Sequence, residues 1–231
     1  MAELHILSAG AVKAGLANAA SLFESETGHR VVIAFATAPV LRAQLEAQES
    51  EADVVVAPVP ALTEFEGKGW VMPEPGAAIG SIKAAVVVRD GARVPDISDA
   101  VVFKKEILAA RSLVYNEGSS GLYIAKLMEK LGVANEVKNK TKRFPTGGAV
   151  MQHLAASTDD DVIGFGQLTE IRVYGEQGVV LVGPLPEEIG NVTTYGARVR
   201  VDTRLSDVAR AYVRHLCTPD ARQCFIATGV I

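Results

Sequence analysis

The chain is sparing with the residues that announce chemistry. Its 231 residues include 2 cysteines, 4 histidines and 1 tryptophan, and aromatics make up 6% of it. His5, His29, His153 and His215 are scattered, no His-Glu-x-x-His occurs, and neither cysteine has zinc-ligand partners at the usual spacings. There is no Gly-x-Ser-x-Gly elbow for a nucleophilic serine. The phosphate loops Gly-x-Gly-x-x-Gly and Gly-x-x-x-x-Gly-Lys-[Ser/Thr] are also absent, which removes the usual dinucleotide and nucleoside-triphosphate sites. Positive charge is not in excess: Lys+Arg 23 against Asp+Glu 27 leaves a net charge of -4, so no nucleic-acid partner is expected. Long apolar runs are missing too. Ala84 to Val88 is among the longest, far below the roughly 20 residues of a membrane span, and no segment pairs a large apolar face with a basic one. Residues Met1 to Gly10 have neither the basic nor the apolar region of a secretory leader. The expectation is a cytoplasmic protein if Met1 is the native start, and a periplasmic one if a leader has been removed. Cys217 and Cys224 would stand about 10 Å apart on an unbroken helix, too far to bridge, and are expected to be small buried thiols.

What is present is globular. Apolar types make up 48% and charged types 22%, enough for a packed core, and the length suits one large domain or two small ones. Periodicity predicts a strand at Leu4–Leu7, a helix from Ala11 to Thr27 stopped by Gly28, a strand at Val31–Phe35 and a helix opened by Thr37-Ala38-Pro39. The unbroken apolar run Asp53–Ala57 reads as a buried strand, and Ala61–Gly67 as a short helix. The middle repeats the theme: strand Ile82–Val88, helix Val101–Ala110, strand Ser112–Tyr115, helix Leu122–Leu131, a polar segment Lys138–Phe144, helix Ala149–Ser157 and strand Val162–Phe165. Strands at Val179–Val182 and Thr193–Val201 and a helix near Leu205–Leu216 complete the chain. Such alternation means two α/β units, the first completed by the C-terminal segment.

One arrangement recurs. Strand ends meet small or hydroxylated turns that open helices: Ser8-Ala9-Gly10-Ala11, Thr37-Ala38, Ser119-Ser120-Gly121 and Thr146-Gly147-Gly148. In an open α/β sheet these turns lie at the carboxyl ends of the strands, where ligands bind. A helix N-terminus offers unpaired N–H groups and about half a positive charge, so several of them would make an anion site without Lys or Arg. The alternative is ordinary capping, because Ser and Thr are common N-cap residues. The residues leave both readings open.

The opening Leu4-His5-Ile6-Leu7-Ser8-Ala9-Gly10-Ala11-Val12 belongs with Leu22-Phe23-Glu24, Thr27-Gly28, Phe35-Ala36-Thr37, Gln44-Leu45 and Ala52-Asp53-Val54-Val55. Together they resemble the molybdate-binding branch of the type II periplasmic binding proteins. Gly121-Leu122-Tyr123, Leu131-Gly132, Ile163-Gly164-Phe165 and Leu216-Cys217-Thr218-Pro219-Asp220-Ala221 extend the resemblance over nearly the whole chain. It implies a two-lobed α/β fold, each lobe a doubly wound, mostly parallel sheet flanked by helices. Lobe one would hold 1–84 and 195–231, lobe two 85–194, with a ligand cleft between them and hinge closure. It further implies a monomer that binds a small anion without cofactor or metal, served by an ABC-transporter permease if exported. The ligand-binding residues implied are Ala9, Gly10, Ala11, Thr37, Ala38, Ser119, Ser120, Gly121, Thr146, Gly147, Gly148 and Gln167. Ala11 and Ala38 replace the family's serines and Gln167 its tyrosine, a loss of donors that shifts the expected ligand from molybdate to an organic carboxylate.

Gly183-Pro184-Leu185-Pro186-Glu187-Glu188-Ile189 with Thr194-Tyr195 is similar to a divergent subgroup that includes aconitate isomerase. This implies an alternative, a cofactor-free cis/trans isomerase of an unsaturated polycarboxylate. Such a reaction needs a base for an allylic proton and an acid to return it, and Glu117 and His153 are the candidates, with Tyr123 and Tyr195 behind them. A cytoplasmic ligand-sensing module is a further alternative. Asp159-Asp160-Asp161 lacks the alternation of a calcium loop and reads as a solvated turn. The basic run Lys138–Arg143 reads as a solvated edge, Trp70 as packing, and Arg42 as a surface cation that can pair with a carboxylate.

Overall fold

The computed structural model describes residues 1–48 and 50–231. They form two compact units, Met1–Ser81 with Thr194–Ile231, and Ile82–Thr193.

In the first unit β1 (Glu3–Ala9) leads through a 3-10 turn (Gly10–Val12) into α1 (Lys13–Thr27). Leu16, Ala19, Ala20 and Phe23 of α1 are buried, and Gly28 stops it in the left-handed conformation, φ 70°, which a side chain would resist. Then come β2 (Arg30–Ala36), α2 (Ala38–Glu46), β3 (Val54–Pro58) and α3 (Val59–Gly67). β1 lies between β2 and β3, parallel to both, with Ser8 in register with Phe35 and Val56. Every residue of β3 is buried, as its apolar run requires, and each large side chain withdrawn there stabilises by about 1.5–3 kcal/mol.

A 19-residue strand, β4 (Val71–Arg89), carries the chain into the second unit. There it continues through α4 (Ala100–Ala109), β5 (Ser112–Asn116), α5 (Ser119–Lys130), α6 (Ala134–Val137), β6 (Thr141–Phe144), α7 (Gly147–Ala156), β7 (Val162–Gln167), α8 (Leu168–Val173) and β8 (Val179–Pro184). β5 pairs in parallel with β6 and β7, and β4 runs antiparallel to β7 and β8. Alternation along β4 feeds two cores: Ala84 and Val86 pack with Phe103, Ile107 and Phe165, while Ala85 and Val87 pack with Val150, Met151 and Leu154. β9 (Val192–Arg200) returns to the first unit and pairs antiparallel with β3, and α9 (Ser206–His215) and α10 (Pro219–Ile226) finish the chain.

The α/β class and the run of parallel strands agree with the expectation. β4 begins eleven residues before Ile82, and α6, α8 and α10 are additions to the predicted elements. The two thiols are free but not buried: Cys217 is exposed and Cys224 half-buried, because the helix break at Thr218-Pro219 turns them off the packed faces. Asp159–Asp161 forms an ion-pair corner rather than a merely solvated turn. Arg89 reaches Asp160, and Arg93 reaches Asp161 at 2.8 Å and Glu106 at 2.5 Å. Trp70 packs on Phe65, with ring centroids 5.6 Å apart.

Candidate functional site

Parallel register places the sequence-predicted turns of each unit on one sheet edge. In the first unit Ala9 and Ala36 are aligned at the ends of β1 and β2, so Gly10-Ala11 and Thr37-Ala38 open the following helical turns side by side. Ala9 and Ala11 are buried, Gly10, Thr37 and Ala38 half-buried. Neither start has a side-chain cap: Ala9 has none to give, and Thr37 is extended but leaves the amides of α2 alone. Lys13 stands nearby, its Nζ 5.4 Å from the centroid of the Phe35 ring.

In the second unit the ends of β5, β6 and β7 bring together Ser119-Ser120-Gly121, Thr146-Gly147-Gly148 and Gln167. α5 begins on Gly118 without a side-chain cap. Asn116, unremarked in the sequence, organises this turn. Its Oδ1 accepts from the Gly118 N–H at 2.7 Å and its Nδ2 donates to Ser120 Oγ at 3.1 Å. Ser120 is buried, and a Cβ at Gly121 would collide with the Asn116 carbonyl oxygen, so the close approach of α5 to β5 depends on that glycine.

α7 differs. Thr146 Oγ1 accepts from the Ala149 N–H at 3.1 Å, which is ordinary capping, and the Glu170 carboxylate of α8 stands where a Cβ on Gly147 would be. This helix end thus already faces the Glu170 carboxyl group. Gln167 is buried: its Nε2 donates to Thr193 Oγ1 at 3.0 Å, and its Oε1 has no partner.

The acid–base candidates are placed less uniformly. Glu117 is exposed at the end of β5, its backbone N–H donating to Phe144 O at 2.9 Å. His153 lies in the last turn of α7, at the opposite end from Gly147, with its ring centroid 4.8 Å from that of Phe144. Burial, and secondarily the charge of Lys142, push its imidazole below the usual range. The Tyr123 hydroxyl is spent on the Ile189 and Gly190 carbonyls at 2.9 and 3.1 Å, and burial raises its pKa. Arg42 is held by Glu64 at 2.6 Å, which raises its own pKa and lowers that of Glu64. Among the described residues no three His, Cys, Asp or Glu side chains gather as metal ligands, and no helix is long and apolar enough to cross a membrane.

Two α/β units, each presenting small-residue helix starts at the carboxyl edge of parallel strands, define the class of solute-binding folds. The model of the bacterial extracellular solute-binding protein family matches residues 4–230, and the chain belongs to that family. It is 27% identical over 234 residues to an aconitate isomerase of Pseudomonas sp, covering 98% of this chain and 87% of the relative. In fold it is similar to the periplasmic molybdate-binding protein of Azotobacter vinelandii, with a TM-score of 0.80 at 17% identity over 99% of this chain and 98% of that one. The sulfate-binding protein SubI of Mycobacterium tuberculosis H37Rv gives 0.79 at 16%, over 100% and 86%.

Proposed function

We propose that the chain binds a small organic carboxylate as the solute-binding component of a transport system, with uncapped helix N-termini as the donors. The observation that carries this reading is the missing caps. α2 and α5 start without a side-chain cap, which leaves hydrogen-bonding capacity at their first amides for an anion. Ala11 and Ala38 offer methyl groups where the family resemblance implies hydroxyls, and this favours a larger carboxylate over a metal oxyanion. Family membership supports a periplasmic location and an ABC permease as partner.

The test is a thermal-shift series with molybdate, sulfate, succinate, tricarballylate and the two aconitates. At a hundredfold excess over Kd a true ligand adds about 2.7 kcal/mol, or roughly 5–10 °C in Tm for a chain of this size. A carboxylate is expected to give that shift. Stabilisation by molybdate or sulfate alone would overturn the reading.

The isomerase relative favours a second reading, cis/trans isomerisation of an unsaturated tricarboxylate. The reaction would take an allylic proton to a base and return one at the other end of the same three-carbon system. Incubation with trans-aconitate in deuterated buffer, followed by proton NMR, separates the two: a binding protein leaves both the isomer and its C–H signals unchanged.

A further inference from the structure

Gln167 ends β7 with 2% of its surface exposed, and its two amide atoms are treated unequally. Nε2 is committed to Thr193 Oγ1, while Oε1 is out of reach of solvent and accepts nothing. A buried acceptor without a partner is destabilising, a cost that an apolar side chain of similar size would avoid. Thr193 Oγ1 takes the Gln167 amide at 3.0 Å and a longer contact from Asn191 Nδ2 at 3.4 Å.

The surroundings give this atom a meaning. β7 closes at the same edge as β5, where the uncapped amides of α5 and the Ser120 hydroxyl are available as donors. Carboxylate oxygens suit those donors. An acceptor at that edge suits a ligand atom that carries a hydrogen, and it sets itself against a bare anionic oxygen.

We infer, resting on the carboxylate-binding reading, that Gln167 Oε1 is a specificity-determining acceptor selecting ligands that present an O–H to it. Two sources supply that group: the hydroxyl of a hydroxy-carboxylate, or a carboxyl that keeps its proton. A fully deprotonated tetrahedral oxyanion supplies neither.

Matched pairs test this on the intact protein: malate against succinate and citrate against tricarballylate, by isothermal titration calorimetry at pH 7.5 and pH 5.5. The hydroxylated member of at least one pair is expected to bind about tenfold more tightly at both pH values, in line with the cost of an unmet buried acceptor. If the donor is instead a retained acid proton, the hydrogen-free partner gains about tenfold at pH 5.5 relative to pH 7.5. Gln167→Leu should abolish whichever effect is seen, read as the ratio of the two affinities. Thr193→Val, which frees the amide to turn, should weaken the effect, and serves if the leucine variant does not fold. Binding of succinate or tricarballylate at least as tight as their partners, with no gain at low pH, would overturn the inference while leaving carboxylate binding intact. The absence of binding by any carboxylate would end both.

Discussion

The side-chain amide of Asn116 donates to Oγ of Ser120 across 3.1 Å, tying the last residue of β5 to the first turn of α5. Both residues are buried, and the other end of the same amide accepts from Gly118 N–H. Asn116→Ala removes two hydrogen bonds and leaves a backbone donor unmet, a cost of about 1–3 kcal/mol in chemical denaturation. Asn116→Asp keeps the acceptor for Gly118 but loses the donor to Ser120 and brings a negative charge to the helix start. It should therefore reduce carboxylate affinity more than it reduces stability.

Gly121 tests the packing beneath that turn. With a methyl group directed at the Asn116 carbonyl oxygen, backbone rather than a flexible side chain must yield. Gly121→Ala should destabilise the protein by about 1–3 kcal/mol, as overpacking does, despite alanine's better helix propensity. A neutral or stabilising result in thermal denaturation would show that α5 can withdraw from β5 without loss.

How far the sequence foretold all this depends on how local each signal is. β1, α1 and Gly28 were readable because the apolar spacing and the glycine stop lie within one stretch of chain. The first half of β4 was not, since Pro73, Pro75 and Gly76 suggest a loop while partners far along the chain supply the pairing. α8 is six residues long, too short for periodicity to register. At the candidate site the turns themselves were legible from small and hydroxylated residues, and Gln167 from family resemblance. Asn116, Thr193 and Glu170 carried no such signal. The Gln167–Thr193 bond spans 26 residues, and the approach of Glu170 to Gly147 depends on how α7 and α8 pack.

His153 gives a prediction in pH. Burial and Lys142 hold its folded-state pKa below the ordinary imidazole value of about 6.5, so the folded chain favours the neutral ring. As pH falls through 6.5 the unfolded chain takes up a proton that the folded one resists. The stability contribution present above that value is therefore lost on acidification, down to the depressed folded pKa. His153→Phe keeps a ring against Phe144 without the titration. Between pH 7 and pH 5 its Tm should fall less than that of the unchanged protein, and parallel curves would mean that His153 titrates freely.

Glu170 offers the sharpest test of whether α7 faces the ligand. Its carboxylate stands against Gly147, at the helix end that sequence resemblance assigns to anion binding. An ionised Glu170 would oppose an anionic ligand at that end. Glu170→Gln holds no charge and keeps the shape, so carboxylate affinity should rise, and more at low ionic strength than at high. A fall in affinity would mean that the carboxylate orders this edge or receives a hydrogen from the ligand. No change at either ionic strength would separate α7 from the ligand altogether and leave α5 and Gln167 as what the second unit contributes.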